Sequence, residues 1–293
     1  MPFELSDNIK NMIAGASAGF ITSIVTCPLD VVKTILQNQG KHEGGSVYRG
    51  TLGTLSRIWV EEGVRGLYRG LGPTIYGYLP TWSIYFSVYN NLKGVLGKRA
   101  GASADNAMVH VVSAMGAGAT SSIMTSPLWV IKTRFMTQSK STSYRYKNTL
   151  DAFTVILREE GVRGFYKGLT PSLLGVFHVA VQFPLYERLK RILNSSDNQS
   201  FGTNAILVAS SSSKMVASVI TYPHEVIRTR LQNQTMRPFK YGSIAQTIQM
   251  IYKEEGWTAF YKGMPTNLIR TVPASALTIF TYEMVLMSLN SAT

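Results

Sequence analysis

The side chains able to do chemistry in this chain are suited to holding anions. Two cations stand inside long apolar stretches, Arg270 in NLIRTVPASALT and Lys214 in SSSSKMVASVI. A guanidinium offers paired donors to a phosphate, and an ammonium adds a point charge. An ionisable group placed so deep in apolar sequence marks a site by default. Further charges follow the pattern Pro-x-acid-x-x-base, in TCPLDVVKTI from Thr26 and TYPHEVIRTR from Thr221. A third copy, TSPLWVIKTR from Thr125, carries Trp129 where the others carry Asp30 and Glu225. Ser23, Ser122 and Ser218 each lie five residues before the motif proline and offer a ring of hydroxyls to a common space. Nothing here points to covalent catalysis, since GxSxG, HExxH and GxxxxGK[ST] are absent from the sequence. The single cysteine, Cys27, excludes an intramolecular disulfide and a multi-cysteine metal site. His178 has no metal partner at helical spacing, so neither an enzyme nor a metal protein is expected.

The elements that position these groups come in threes. Pro28, Pro127 and Pro223 are 99 and 96 residues apart. A second triplet, EGVRGLYRG from Glu62, EGVRGFYKG from Glu160 and EGWTAFYKG from Glu255, repeats at 98 and 95. Two motifs sharing one period divide the chain into repeats 1-100, 101-197 and 198-293 of a single domain. Each repeat has two weakly charged stretches of about 20 residues, the length of a membrane-crossing helix. They are 11-29, 70-92, 106-131, 168-186, 198-222 and 263-288. The expected fold is an all-α membrane protein of six transmembrane helices in three pseudo-threefold repeats. Between the members of each pair lies an amphipathic segment; in YRGTLGTLSRIWVEEG, Leu52, Leu55, Ile58 and Trp59 recur at helical spacing, as in a helix lying at an interface.

A formal charge of +13 calls for an anionic partner. The basic residues follow the repeats and do not gather on one element, which argues against nucleic acid. The opening MPFELSDNIK has the character of neither a signal peptide nor an Arg-rich presequence. An even number of spans puts both termini on one side, and loops 38-69, 133-167 and 229-262 hold most of the Lys and Arg.

The three repeats, the Pro-x-acid-x-x-base motif and the acid-Gly-x4-aromatic-base-Gly segment together resemble the mitochondrial carrier family. That resemblance implies a monomeric bundle in the mitochondrial inner membrane, with short matrix amphipathic helices and both termini toward the intermembrane space. It also implies solute exchange by alternating access. Pro28, Pro127 and Pro223 would kink the odd helices toward one axis. By the family scheme the matrix gate pairs Asp30 with Lys132 and Glu225 with Lys33, braced by Gln37 and Gln232. Met136 departs from the brace position. Trp129 breaks the third pair and leaves Arg228 to a carbonyl, to water or to a passing phosphate. On the opposite side the family scheme gives one full cytosolic pair, Glu283 with Lys93, because Asn90 faces Lys190 and Leu286 faces Glu187.

Tryptophan in PLWVIKTR is shared by family members carrying large nucleotide-like solutes. GYLPTWSIYFSVY, GVFHVAVQFPLYERLK and the segment around PHEVIRTRLQ look most like fungal mitochondrial NAD+ carriers. The implied solute is NAD+, exchanged for adenine nucleotides such as AMP; the alternative is an FAD, folate or pyrimidine-nucleotide carrier. Thirteen residues before Asn90, Glu187 and Glu283 stand Gly77, Leu174 and Arg270, equivalent points on the even helices. Family contact points near them select Thr81, Trp82, Gly175, His178 and Arg270, with Lys214 on the facing helix. Trp82 offers a stacking face, Gly175 an approach for a flat base and Arg270 a phosphate clamp. A single histidine such as His178 more often makes a structural hydrogen bond. No cofactor is expected. Arg69 and Gly70, Lys167 and Gly168, and Lys262 and Gly263 stand at helix starts, where free amides attract phosphate; in the family this implies cardiolipin as a structural lipid.

Overall fold

The computed structural model describes residues 7–40, 48, 50–100, 107–138, 146–194, 202–234 and 240–291. Its long helices are α1 (Asp7–Asn38), α3 (Leu71–Ala100), α4 (Ala107–Thr137), α8 (Gly202–Gln232) and α10 (Met264–Ser291). Shorter ones are α2 (Gly50–Leu67), α5 (Thr149–Glu160), α6 (Leu169–Leu174), α7 (Phe177–Asn194) and α9 (Ile244–Glu255). α6 and α7 together form the sixth long rod, interrupted at Gly175, whose N–H donates to the Pro171 and Ser172 carbonyls. The rods pack in interlocking pairs, α1 with α10, α3 with α4, and α7 with α8. The second rod of each repeat thus lies on the first rod of the next, and the ring closes where repeat three returns to repeat one. At that closure Lys10 donates to Asn290 at 3.2 Å and Tyr282 to Asn11 at 2.7 Å, which puts the two outer helices' ends on one side of the bundle.

Pro28, Pro127 and Pro223 lie inside α1, α4 and α8. Among the described residues three stretches are apolar and long enough to cross a membrane by length and composition: Ile13–Asn38, Val162–Ile192 and Trp257–Asn290. α3, α4 and α8 match them in length, and α4 buries Ser121, Thr125 and Ser126. Helices that turn hydroxyls inward need apolar residues only on their outer faces. Large apolar side chains accordingly remain exposed around the bundle, among them Phe20, Leu79, Phe177, Ile220 and Phe280.

The amphipathic helices repeat one design. Each buries two residues four apart, Thr54 and Ile58, Ala152 and Ile156, or Thr247 and Ile251. Leu52, Trp59, Leu150, Leu157 and Tyr252 stay exposed. Asn148 and Ser243 cap α5 and α9 by accepting from the backbone N–H three residues on. Each helical run breaks at Gly63, Gly161 or Gly256, with φ of 66°, 67° and 81° and ψ near the extended limit, a conformation open in practice only to glycine. Three apolar clusters then join each odd helix to its amphipathic partner. The first holds Cys27, Val31, Val32, Ile35, Leu36, Ile58, Leu67 and Met136. The second centres on Ile131, Ile156 and Phe165, and the third on Ile227, Ile251 and Phe260.

Candidate functional site: a charged floor in the helical bundle

Below the motif prolines, α1, α4 and α8 converge on a cavity of about 200 Å³. Charged side chains from all three helices line it, and Arg270 joins them from α10. Lys33 Nζ stands 2.6 Å from Glu225 Oε2, the arrangement expected from the motif. Gln37 braces it, donating to the same carboxylate at 3.1 Å and to the Tyr222 hydroxyl at 2.8 Å while accepting from Thr229 at 2.8 Å. A partly buried pair holds only when its remaining valences are met in this way.

Asp30 corrects the expected scheme. It pairs with Arg270 Nη1 at 2.9 Å and not with Lys132. α10 packs along α1, so the guanidinium reaches the carboxylate from the side. Lys132 instead lies over the Trp129 ring, 4.9 Å from its centroid, where the aromatic face attracts the cation. Trp129 is itself fixed by donating to Thr125 at 3.1 Å and by an edge contact with Tyr78 at 5.8 Å. Arg228 lines the same cavity; its Nε is buried without a hydrogen-bond partner, and no carboxylate among the described residues pairs with it. Gln232 accepts from Thr133 at 2.7 Å, and Met136 takes the corresponding contact from Thr34 through sulfur at 3.6 Å.

The expected solute contacts separate into two groups. Arg270 stands in the floor, already engaged with Asp30. Lys214 is exposed. Trp82 is half-exposed and stacks on Phe86 at 5.6 Å with Tyr85 at its edge. Thr81 donates to its own helix at the Gly77 carbonyl, 2.6 Å away. Ser23 does likewise at Gly19, so that hydroxyl is committed to its helix.

Gly175 does not offer a base the approach expected of it. A Cβ there would stand 2.6 Å from His224 Nε2, because the imidazole fills that side of the helix break. His178 bonds Thr221 at 3.2 Å, a structural contact between α7 and α8. The sequence reading passed over Tyr78, which lines the floor beside Trp129. Its signal was available, since it follows Gly77, one of the three equivalent points. The reading also passed over the aromatic run that continues from Trp82 through Tyr85 to Tyr89, where Tyr85 and Tyr89 stack at 6.1 Å.

At the other end of the bundle, Glu187 pairs with Arg191 of its own helix at 3.5 Å. Lys190 lies over Tyr186, again within one helix, and Glu283 is exposed. Those contacts run along single helices, while Lys10 with Asn290, Tyr282 with Asn11 and Tyr89 with His110 join neighbouring rods at that end. At the floor, ion pairs join different rods.

Around the floor a second set of charges ties repeat to repeat. Arg134 makes a fork to Glu160, and Lys167 meets the same carboxylate at 2.5 Å. Arg134 Nε also donates to the Gln232 carbonyl at 3.0 Å, at the end of α8. Arg230 repeats this with Glu255, Lys262 and the Gln37 carbonyl at the end of α1. Burial pushes the Glu160 and Glu255 carboxyls up, but bonds from their arginine and lysine partners outweigh it and hold both below the usual carboxylate range. In repeat one Ile35 stands where Arg134 and Arg230 stand in the others, and Glu62 pairs with Arg69 at 2.9 Å.

Arg69, Lys167 and Lys262, expected to meet lipid phosphate, therefore turn their charges toward carboxylates of their own repeats. The neighbouring glycines serve close packing. At Gly70, Gly168 and Gly263, with φ near 80°, a Cβ would meet Met136, Gln232 or the Lys33 carbonyl at 2.8, 2.8 and 3.0 Å. A cavity of about 430 Å³ between repeats one and two brings Gly70 and Gly72 at the start of α3 beside Lys147 and Asn148 at the start of α5.

A threefold bundle of long helices with a floor of paired and unpaired charges defines a membrane carrier of the helical, three-repeat type. The chain belongs to the mitochondrial carrier family, whose model, described as mitochondrial carrier protein, matches residues 5–100, 103–197 and 200–292. It is 46% identical to "Nicotinamide adenine dinucleotide transporter 2, mitochondrial" of Arabidopsis thaliana, over 94% of this chain and 78% of that one. It is 43% identical to "Mitochondrial nicotinamide adenine dinucleotide transporter 1" of Saccharomyces cerevisiae, over 95% of this chain and 77% of the other. A third relative, "Nicotinamide adenine dinucleotide transporter 1, chloroplastic" of Arabidopsis thaliana, is 43% identical over 95% of this chain and 92% of its own length.

Proposed function

We propose that this protein carries NAD+ across the mitochondrial inner membrane by alternating access, in exchange for adenine nucleotides such as AMP, and catalyses no covalent step. The observation that carries this reading is the similarity, along nearly the whole chain, to relatives named as nicotinamide adenine dinucleotide transporters. The floor agrees with it. Fastened there by ion pairs between helices, the bundle presents Trp82, Lys214 and Arg270 to a solute entering from the side of the termini. On this reading that side is the intermembrane space, the carrier works as a monomer, and cardiolipin lies at the starts of the even helices. The backbone amides there, in place of the bases already paired with carboxylates, would hold its phosphates.

Purified protein in liposomes tests the proposal. Labelled NAD+ should enter vesicles preloaded with NAD+ or AMP, and not empty ones. Uptake of FAD, folate or CTP in place of NAD+ would reassign the solute. The chloroplastic relative makes the organelle a separate measurement, answered by fractionating cells that express the tagged chain.

A further inference from the structure

We propose that the floor is itself a dianion-binding site, anchored by Arg228, that receives the pyrophosphate of a dinucleotide. This rests on the reading of NAD+ as solute and names the part of the molecule that the floor takes. The charged residues lining the cavity are Asp30, Lys33, Lys132, Glu225, Arg228 and Arg270. Four cations face two carboxylates, which leaves a surplus of two positive charges.

Lys33 and Arg270 have carboxylate partners; Lys132 and Arg228 have none among the described residues. Lys132 rests on the Trp129 face, and the Nε atoms of Arg228 and Arg270 are both buried without a hydrogen-bond partner. Trp129 accounts for one of those two charges, because an acid at that position, as at 30 and 225, would occupy Arg228. Desolvated cations left unpaired are costly unless an anion completes them. A dinucleotide's pyrophosphate carries two negative charges and presents oxygens that a guanidinium takes in pairs. The cavity, about 200 Å³, is small beside a whole dinucleotide and suits its diphosphate without the two nucleosides. The nucleosides then lie above it, where Tyr78 and the Trp82 run supply aromatic faces.

The test uses the purified full-length protein in detergent, with inorganic pyrophosphate and NAD+ as probes of thermal unfolding, and NAD+ uptake in liposomes alongside. Both probes should raise the melting temperature of the wild type. Arg228→Gln should weaken pyrophosphate at least tenfold, with Arg228→Lys intermediate. Trp129→Glu should raise the melting temperature of the empty protein and yet weaken pyrophosphate and raise the KM for NAD+ by a similar factor. A role confined to gate packing would not produce that opposition. Unchanged pyrophosphate affinity in both Arg228→Gln and Trp129→Glu overturns the proposal even if NAD+ uptake is intact. Pyrophosphate binding that depends on Arg228 in a protein that moves no NAD+ keeps the floor site and removes NAD+ as the solute. If Trp129→Glu does not fold, the two Arg228 variants decide.

Discussion

The seam where repeat three meets repeat one and the seam where repeat one meets repeat two occupy equivalent places and are built from opposite materials. At the first, Lys33 pairs with Glu225, Gln37 braces the pair, and Arg230 ties Glu255 to the end of α1. At the second, Asp30 has turned to Arg270, Met136 replaces the brace, and Ile35 replaces the arginine, within a continuous apolar cluster. Polar links have fixed partners and resist sliding, whereas apolar contacts are non-directional. At the level of the floor, the contacts between repeats one and two are therefore expected to part more readily than those between repeats three and one.

The largest effect should come from cutting the polar seam. Arg230→Ala leaves Glu255 buried with Lys262 beside it and removes the bond to the Gln37 carbonyl, and should cost about 3 kcal/mol. In thermal unfolding that is a drop of roughly 10 °C for a domain of this size. Met136→Leu, at the apolar seam, should cost less than about 1.5 kcal/mol. Equal losses would abolish the distinction.

Exchanging the brace residues sharpens it. Gln37→Met removes the amide that bonds Tyr222, Glu225 and Thr229 and should cost about 2–3 kcal/mol. Met136→Gln should stay within roughly 1 kcal/mol of wild type, since Thr34 can donate to the new amide oxygen as Thr229 and Thr133 do to theirs. Double-mutant cycles come next in size: Lys33 with Glu225 should couple by more than about 1.5 kcal/mol and Asp30 with Lys132 by less than ~0.5. A strong Asp30 to Lys132 coupling would restore the symmetric gate.

Acid should act least, and the clamps contribute to its effect. Glu160 and Glu255 have folded pKa values below their unfolded ones, so their contribution is present above the ordinary carboxylate value near ~4.3 and is lost as pH falls through the folded value. Glu160→Gln and Glu255→Gln should each lower stability at neutral pH and flatten this acid limb in pH-dependent melting curves.

Much of this architecture was legible because a threefold period gives each inference two independent checks. The placement of Pro28, Pro127 and Pro223 inside three equivalent long helices followed from it, and the Lys33 pair with Glu225 followed from the family resemblance. Asp30 escaped because the motif compares odd helices only with odd helices, while its partner Arg270 arrives from an even one. Gly175 escaped for a related reason: its surroundings are set by His224, which stands where the other repeats carry Leu29 and Leu128. The difference between Ile35 and its counterparts Arg134 and Arg230 lay in plain view in the alignment of repeats. Its meaning depended on seeing the carbonyls that those arginines reach.

The chain's one thiol, Cys27, is 2% exposed within the apolar cluster of the yielding seam. Access for an alkylating reagent needs an opening of that cluster. The rate at which a neutral maleimide modifies the wild-type protein is therefore a clock for excursions of the closed carrier. No label or engineered cysteine is needed, and the clock should run faster when substrate sets the protein cycling.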